Sequence, residues 1–276
     1  MREFRQVDVF SSEPMRGNPV AVVHDAEGIA DDQMRQLAHW TNLSETTFLL
    51  PPTDPAADFR LRIFTPGTEL PFAGHPTIGS AHAWLEAGGV PRSEGELVQE
   101  CGAGLVRIRR GERLAFAAPP LVREGPPTDE ERSAVLRALA LEDSDVVDIS
   151  WVDNGPGWIG VLLRSADRVL AIEPNVGAFG DLDIGVVGPH PDGAECAVEV
   201  RAFCPGMGIV EDPVTGSLNA SLAQWLAGDR LPSSYVAAQG TAIGRAGRVH
   251  VEKDGDTVWV GGDATTTIKG TVGLGS

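Results

Sequence analysis

Two segments about half a chain apart share one pattern. Residues 62–85 begin with RIFTPG, continue through GHPT and end in WL, whereas residues 201–226 begin with RAFCPG, continue through EDPVTGS and also end in WL. Each segment predicts a strand, then a loop bearing proline and glycine, then a helix that ends near a glycine. A repeat of this length predicts a duplicated domain with a site between the two halves.

The two loops are candidate anion-binding elements. A helix that begins in such a loop directs its unpaired backbone N–H groups, and the positive end of its dipole, towards the loop. Two loops of this kind could hold a small carboxylate-bearing substrate. Glycine and proline also punctuate ordinary turns, so a single loop would carry little weight. The second copy, with ionisable or hydroxyl side chains again at the helix start, favours a function.

Composition excludes several classes of partner. The chain has 276 residues, of which 42% are hydrophobic, enough for two globular domains of about 100–150 residues each. Its net charge of −17 argues against nucleic acid and anionic lipid as partners. No apolar run is long enough to span a bilayer, and the first residues lack the apolar core of a signal peptide. We therefore expect a cytoplasmic protein that contacts no membrane.

The cysteines and histidines indicate neither disulfides nor a metal. Cys101, Cys196 and Cys204 are scattered and form no C-x-x-C pair, so we expect them to be reduced and structural. The six histidines show no i, i+4 pair and no tight cluster with cysteine, so no metal site is predicted. The glycine-rich stretches lack the fingerprint of a dinucleotide or phosphate loop, and no cofactor is predicted.

The chain divides at a proline-rich stretch. Residues 119–127 contain four prolines and several charges, which is typical of a linker. We predict a first domain over 1–118, completed by the apolar stretch within 264–276, and a second domain over 128–263. Each half combines many strands with one long helix, which indicates an α+β fold in which a curled, mostly antiparallel sheet surrounds a central helix.

Individual elements follow from local patterns. Residues 4–10 and 20–23 predict a hairpin-like strand pair, and residues 128–131 have capping-box spacing before a helix. Asp31 or Asp32 is a candidate N-cap for a helix whose buried face would run from Met34 to Trp40. Further strands are predicted as follows: one that starts within 42–50, and others at about 60–65, 97–101, 104–109, 113–117, 158–164, 183–188, 195–204, 235–239, 247–253 and 256–261.

Three long motifs resemble those of the phenazine-biosynthesis PhzF-like isomerases. They are residues 42–48 (NLSETTF), 64–77 (FTPGTELPFAGHPT) and 211–217 (EDPVTGS), in that order. Residues 17–19 (GNP), 239–240 (QG) and 244–245 (GR) fit as well, so the resemblance covers almost the whole chain.

The resemblance implies a fold, a site and a chemistry. It implies the diaminopimelate-epimerase-like fold, an active site in the cleft between two similar domains, a homodimer, and catalysis without metal or organic cofactor. By motif position, Glu45 corresponds to the general acid/base of the family, and His75, Asp212 and Ser217 correspond to its other site residues. We assign Glu45, His75 and Asp212 to catalysis. The residues assigned to substrate binding are Asn18, Gly74, Gly216 and Ser217.

Local reasoning leaves structural alternatives open for these residues. A carboxylate between apolar loops would be partly desolvated and suited to proton exchange, but Glu45 could also be a capping or strand-edge residue. A lone histidine such as His75 is more often structural than catalytic. Asp212 could simply complement a helix dipole, and Ser217 could be a cap.

The predicted function is a biosynthetic isomerase. In this hypothesis Glu45 removes a proton from a carbon activated by a conjugated carboxylate and returns one elsewhere on the substrate. One alternative is an inactive small-molecule-binding or protein-binding member of the fold. Another is a racemase or epimerase that uses two opposed carboxylates, for which Glu45 and Asp212 are the candidates. A racemase with two thiols is disfavoured because neither loop contains a cysteine.

Overall fold

The structure, a computed structural model, describes residues 1–274, with the side chains at positions 207 and 209 excepted. Its strands, in chain order, are β1 (Arg2–Val9), β2 (Asn18–Val23), β3 (Glu45–Leu50), β4 (Phe59–Phe64), β5 (Glu69–Leu70), β6 (Glu96–Cys101), β7 (Gly104–Arg110), β8 (Leu114–Ala117), β9 (Arg123–Gly125), β10 (Val146–Asp153), β11 (Trp158–Leu163), β12 (Asp183–Pro189), β13 (Val198–Cys204), β14 (Ile209–Asp212), β15 (Ser234–Gln239), β16 (Gly247–Asp254), β17 (Thr257–Gly262) and β18 (Ala264–Val272). Its α-helices are α1 (Asp31–Thr41), α2 (Gly74–Glu86), α3 (Asp129–Leu139), α4 (Ala166–Leu170) and α5 (Gly216–Leu226).

The chain forms two compact units. The first comprises Met1–Ala117 together with Gly261–Ser276, and the second comprises Ala118–Val260. Each unit has the mixed, sheet-dominated α+β architecture that the sequence predicts.

In the first unit a sheet curls around α2. Strand β1 pairs antiparallel with both β18 and β2, β2 runs parallel to β3, and β3 is antiparallel to β4. Strand β4 then pairs antiparallel with β5 and parallel with β6, and β6, β7 and β8 continue as antiparallel neighbours. Helix α2 contacts seven of these strands, which places it along the concave side of the sheet.

The second unit repeats this order of strands. Strand β10 pairs antiparallel with β9 and β11, β11 runs parallel to β12, and β12 is antiparallel to β13. Strand β13 pairs antiparallel with β14 and parallel with β15, and β15 is antiparallel to β16. Helix α5 contacts β10, β11 and β16 of its own unit. The duplication predicted from the two repeated segments is confirmed.

Strand alternation gives each sheet two differently packed faces. In β12, Ile184 and Val186 belong to an apolar core shared with α3 and α4. Residue Gly185, on the opposite face, lies under α5, where an added Cβ would be only 2.1 Å from Leu218 Cδ1. In the first unit the glycine is on the helix instead, since a Cβ at Gly79 would lie 2.4 Å from a Val20 methyl group. Glycine on either partner lets the central helix approach its sheet closely.

The arginine at the start of each repeated segment has an equivalent environment. Arg62 donates two hydrogen bonds of 2.7 Å to Glu69, and Arg201 donates bonds of 2.9 and 2.8 Å to Glu211. Each guanidinium also lies about 5 Å from the ring centroid of the phenylalanine two residues later. Arg201 and Glu211 are both buried, whereas the first pair is more exposed. The bidentate pair holds the loop after each strand.

Two details of α1 differ from the prediction. The N-cap is Ala30, whose backbone N–H donates to the Gln33 side chain, and both predicted caps, Asp31 and Asp32, lie in the first turn. Trp40, predicted on the buried face, is 79% exposed. The spacing predicted Trp40 on the apolar face of α1. The core that α1 packs against includes Met34, Leu37 and Ala38 but does not extend to Trp40.

Several strands lie where none was predicted, among them β9 and β10. The stretch predicted as a linker contains β9, which pairs with β10. Strand β10 itself begins within an acidic stretch. Its buried residues are Val146, Ile149, Ser150 and Val152, so both faces of the strand are partly buried. Asp148, near the start of the strand, is paired with Arg230.

Among residues 1–274, no helix combines the length and apolar character needed to cross a bilayer.

Candidate active site

Asn18 is positioned by a tight turn before β2. Asp8 Oδ2 accepts hydrogen bonds of 3.0 Å from the backbone N–H groups of Arg16 and Gly17. Only glycine fits at position 17, because a Cβ there would lie 2.1 Å from the Val9 carbonyl oxygen. The turn places the buried Asn18 at the first residue of β2, with its Nδ2 3.4 Å from His75 Nδ1.

Glu45 opens the neighbouring strand. It is the first residue of β3, and its register partner in the parallel pairing with β2 is Val20, two residues beyond Asn18. Its side chain is 14% exposed, and Oε2 lies 3.2 Å from His75 Nε2. The structure therefore brings three predicted site residues together in the first unit, with His75 between Asn18 and Glu45.

His75 is electrically neutral. Complete burial lowers the pKa of its imidazole to about 3, against the opposing effect of a hydrogen bond to the Pro19 backbone. At neutral pH the ring therefore has one nitrogen that donates and one that accepts. It can orient the Glu45 carboxylate without adding a positive charge beside it.

The first turn of α2 completes this cluster. Helix α2 begins at Gly74, its N-cap is Ala73, and no side chain caps the turn or places an acid in it. By contrast, α1 has two acids in its first turn, and α3 has three acids and a threonine cap. The first turn of α2 thus contains no acid of its own and no side-chain cap, which leaves its N–H groups available to an anion.

Hydrogen bonds fix α2 against β3. Thr47 Oγ1 lies 2.9 Å from Ser80 Oγ and donates to the Ala21 carbonyl at 3.1 Å. Thr47 is two residues after Glu45 and therefore shares its face of the strand. This contact sets the distance between Glu45 and the start of α2.

In the second unit, Asp212 belongs to a buried polar network. Thr215 Oγ1 donates to Asp212 Oδ2 at 2.5 Å, and Gln239 Nε2 donates to Thr215 Oγ1 at 2.9 Å and to the Asp212 carbonyl at 3.2 Å. Gln239 Oε1 accepts from the Thr215 backbone at 3.0 Å and from Asn219 Nδ2 at 2.8 Å. The network fixes the loop that leads into α5.

Gly216 and Ser217 are the first two residues of α5. Ser217 Oγ accepts a hydrogen bond of 3.2 Å from Trp158 Nε1, and the Ser217 carbonyl accepts one of 3.0 Å from Asn154 Nδ2. The serine hydroxyl can still donate its own hydrogen. As in α2, no side chain caps the first turn and no acid lies in it. Thr215, the N-cap residue, directs its hydroxyl to Asp212 instead.

The structure thus places the predicted residues in two clusters, each within one unit. Asn18, Gly74 and His75 surround Glu45 in the first, and Asp212, Gly216 and Ser217 lie around the start of α5 in the second.

Three polar residues that the sequence reasoning did not assign to the site support it. Asp8 shapes the turn before Asn18, and Gln239 and Asn219 complete the network at Asp212. Gln239 does lie in a motif that the family shares. Its four hydrogen bonds could not be predicted from the neighbouring residues, because the bonded groups are distant along the chain. In the part of the chain described, no three histidine, cysteine or carboxylate side chains form a group that could hold a metal ion.

Known proteins resemble this chain along almost its whole length. Residues 7–270 match the protein family described as "Phenazine biosynthesis-like protein". Antisense-enhancing sequence 1 of Schizosaccharomyces pombe is 37% identical over 289 residues, covering 97% of each chain. Trans-2,3-dihydro-3-hydroxyanthranilate isomerase of Pseudomonas aeruginosa is 35% identical over 264 residues, covering 92% of this chain and 91% of that protein.

A solved structure shows the same fold. The crystal structure of a PhzF-family phenazine biosynthesis protein from Bacillus anthracis matches with a TM-score of 0.82 at 24% identity, and the match covers 98% of both chains.

Proposed function

Because the chain belongs to the family of phenazine biosynthesis-like proteins, we propose that it is an isomerase that moves a proton on a small carboxylate-bearing substrate. A relative with 35% identity is named a trans-2,3-dihydro-3-hydroxyanthranilate isomerase, which supports a substrate of this class. The observation that carries the proposal is the contact of 3.2 Å between Glu45 and the neutral His75 at the uncapped start of α2.

The proposed reaction needs one base and a means of stabilising an anion. The Glu45 carboxylate takes a proton from a carbon conjugated to the substrate carboxylate, and the electron pair of the broken C–H bond moves into the conjugated system. The Glu45 carboxyl group exchanges its proton with solvent and then donates a proton to a different carbon, so that one C–H bond breaks, another forms and no electrons are exchanged with a cofactor. The N–H groups of the first turn of α2 stabilise the negative charge that develops.

His75 has two roles in this proposal. It lies 3.2 Å from the Glu45 carboxylate without adding a charge there, and it can donate to or accept from the substrate without ionising. A positively charged imidazolium would instead stabilise the ionised carboxylate, lower its pKa and so make it a weaker base. The low pKa of His75, about 3, is therefore suited to a carboxylate base.

We extend the proposal to the second cluster. Asp212 would serve as a further acid/base group, and Ser217 and Gly216 would bind the substrate through the serine hydroxyl and the first-turn N–H groups of α5. Two uncapped helix starts, one in each repeat, support two contacts to one anionic substrate.

Deuterium labelling tests the proposed chemistry. We would incubate the protein in deuterated water with trans-2,3-dihydro-3-hydroxyanthranilate and a panel of related small carboxylates, and follow incorporation by NMR. We expect incorporation with the wild type and none with Glu45→Gln. Glu27→Gln is the matched control, because Glu27 is exposed in the same unit and the variant makes the same change of charge.

The pattern of labelling separates the alternatives. Label at a new carbon with a shifted double bond is the isomerase result, whereas label with inversion at one stereocentre would indicate an epimerase. Glu45-independent incorporation would contradict the role of Glu45, and bound but unlabelled compounds would indicate a binding protein. Asp212→Asn and Ser217→Ala, measured in the same way, test whether the second cluster serves the same reaction.

A further inference from the structure

A buried carboxyl group, Asp183, belongs to neither of the two clusters of the candidate active site. Asp183 is the first residue of β12 and is 8% exposed. Among the described residues its side chain has no hydrogen-bond or ion-pair partner. A buried polar group without a partner is destabilising, and in a folded protein it requires an explanation.

Strand register shows which face Asp183 occupies. Side chains two residues apart in a strand share a face, so Asp183 lies on the same face as Gly185, which packs against Leu218 of α5. The parallel pairing of β11 with β12 makes Trp158 the register partner of Asp183. Trp158 donates to Ser217 Oγ. Asp183 therefore lies beside the first turn of α5.

Asp183 occupies the position in the second unit that Glu45 occupies in the first. Glu45 opens β3, which runs parallel to β2, and Asp183 opens β12, which runs parallel to β11. The residue two positions after Glu45 contacts α2, and the residue two positions after Asp183 lies under α5. Glu45 meets the second residue of α2, and Ser217 is the second residue of α5. The internal repeat thus places one carboxyl group at each helix start.

The surroundings of Asp183 favour a neutral carboxyl group. Burial and the nearby negative charge of Asp153 raise the pKa of Asp183 to about 7. Asp153 Oδ1 accepts two backbone hydrogen bonds of 2.7 Å, from Gly155 and Gly157, which stabilise that charge. The titratable groups on this face of the sheet include Asp212, the Cys204 thiol, Tyr235 and Asp148, of which Asp148 is paired with Arg230, and the sequence of α5 contains no charged residue.

We propose that Asp183 is the second unit's counterpart of Glu45 and that, in its protonated form, it donates a hydrogen bond to a carboxylate bound at the first turn of α5. A carboxylic acid, the serine hydroxyl and the N–H groups of the helix start together supply donors for a carboxylate. This proposal rests on the carboxylate substrate of the proposed function but does not depend on proton transfer by Glu45.

The proposal couples binding to proton uptake. Binding of an anion favours the protonated form of Asp183, so affinity is highest below the pKa of the free protein and falls as the carboxyl group ionises. For a group with a pKa of about 7, the affinity at pH 8.5 should be about 30-fold weaker than at pH 6. At pH 8, binding should take up close to one proton per site.

Calorimetric titration with anthranilate, a stable aromatic carboxylate that is ionised throughout this pH range, tests the coupling. Titrations at pH 6, 8 and 8.5, with the pH 8 measurement repeated in buffers of different ionisation enthalpy, give both the affinity and the number of protons taken up. We expect Asp183→Asn, which keeps a donor but cannot ionise, to bind with nearly constant affinity and without uptake. Asp181→Asn is the matched control, because Asp181 is exposed two residues away and should leave the wild-type profile unchanged.

Two results would overturn the proposal. One is an absence of anthranilate binding at pH 6, and the other is the same pH profile and proton uptake in Asp183→Asn as in the wild type. Glu45→Gln should retain the pH-dependent binding. A protein that fails the labelling test but shows Asp183-dependent uptake would refute the proposed isomerisation and leave this inference standing.

Discussion

The buried glutamine at the end of β15 should contribute much more to stability than its counterpart in the first unit. Gln239 and Gln99 are both fully buried, on strands β15 and β6, which are equivalent in the two sheets. The Gln239 amide makes four hydrogen bonds within the network at Asp212. Gln99 Nε2 donates to Thr77 Oγ1 at 3.1 Å, and its Oε1 has no hydrogen-bond partner within the described residues.

Substitution by leucine turns this difference into a difference in stability. Gln239→Leu removes the hydrogen bonds to three buried groups: the Thr215 N–H, one N–H of Asn219 and the Asp212 carbonyl. At about 1–3 kcal/mol for each group, we expect a loss of about 4 kcal/mol in the free energy of unfolding. Gln99→Leu removes one hydrogen bond, and Thr77 still donates to the Ala73 carbonyl at 2.9 Å, so we expect a loss of about 1 kcal/mol or less.

Urea unfolding measures both variants beside the wild type. Far-UV circular dichroism and tryptophan fluorescence should be followed together, because coincident transitions are needed before a single free energy applies to a protein of two units. The two substitutions match in residue type, burial and strand position. Equal losses for the two variants, or a loss below about 1 kcal/mol for Gln239→Leu, would refute the reasoning from hydrogen bonds.

Gly79→Ala should lower the free energy of unfolding by about 1–3 kcal/mol, because its methyl group would meet a valine of β2, whereas Gly67→Ala, which has open space, should be nearly neutral in the same urea titration. Because the pKa of His75 is low in the folded chain, the imidazole takes up a proton below about pH 6.5 only in the unfolded chain. The free energy of unfolding therefore decreases as the pH falls, by about 2 kcal/mol at pH 5. His75→Gln should remove that part of the pH dependence, and an unchanged slope between pH 6.5 and 4 would contradict it. Glu211→Gln should lower the free energy of unfolding by about 3 kcal/mol, because it leaves the buried Arg201 without its carboxylate. Glu69→Gln, at the equivalent but more exposed pair, should lower it by less than about 1 kcal/mol. Thermal or urea unfolding of the two variants compares these losses.

Much of the candidate site could be located from local sequence. Glycine and proline before each central helix indicate where an uncapped helix start would lie, and the structure has α2 and α5 beginning at Gly74 and Gly216. The resemblance pointed to Glu45 and His75 separately. Their contact could not be predicted, because it depends on the parallel pairing of β2 with β3 and on the hydrogen bond between Thr47 and Ser80 of α2.

Asp183 illustrates what local reasoning leaves out. A single aspartate at the start of an apolar strand resembles any strand-end residue, so its neighbours in the sequence indicate no role for it. Its burial arises because α5 covers one face of β12, and α3 and α4 cover the other. None of these helices can be inferred from the residues next to Asp183 in the sequence. The same long-range packing leaves Trp40 exposed although its spacing predicted burial.

The sequence by itself determined the duplication, most of the strands and the central helix of each half, and the two helix starts, because turn chemistry and the alternation of apolar residues act over a few neighbouring positions. Only the tertiary structure decided which carboxyl groups are buried, that His75 is neutral, and that Gln239 joins Asp212 to α5. Desolvation and hydrogen-bond satisfaction depend on what packs against a residue, and the packing partners lie tens of residues away along the chain.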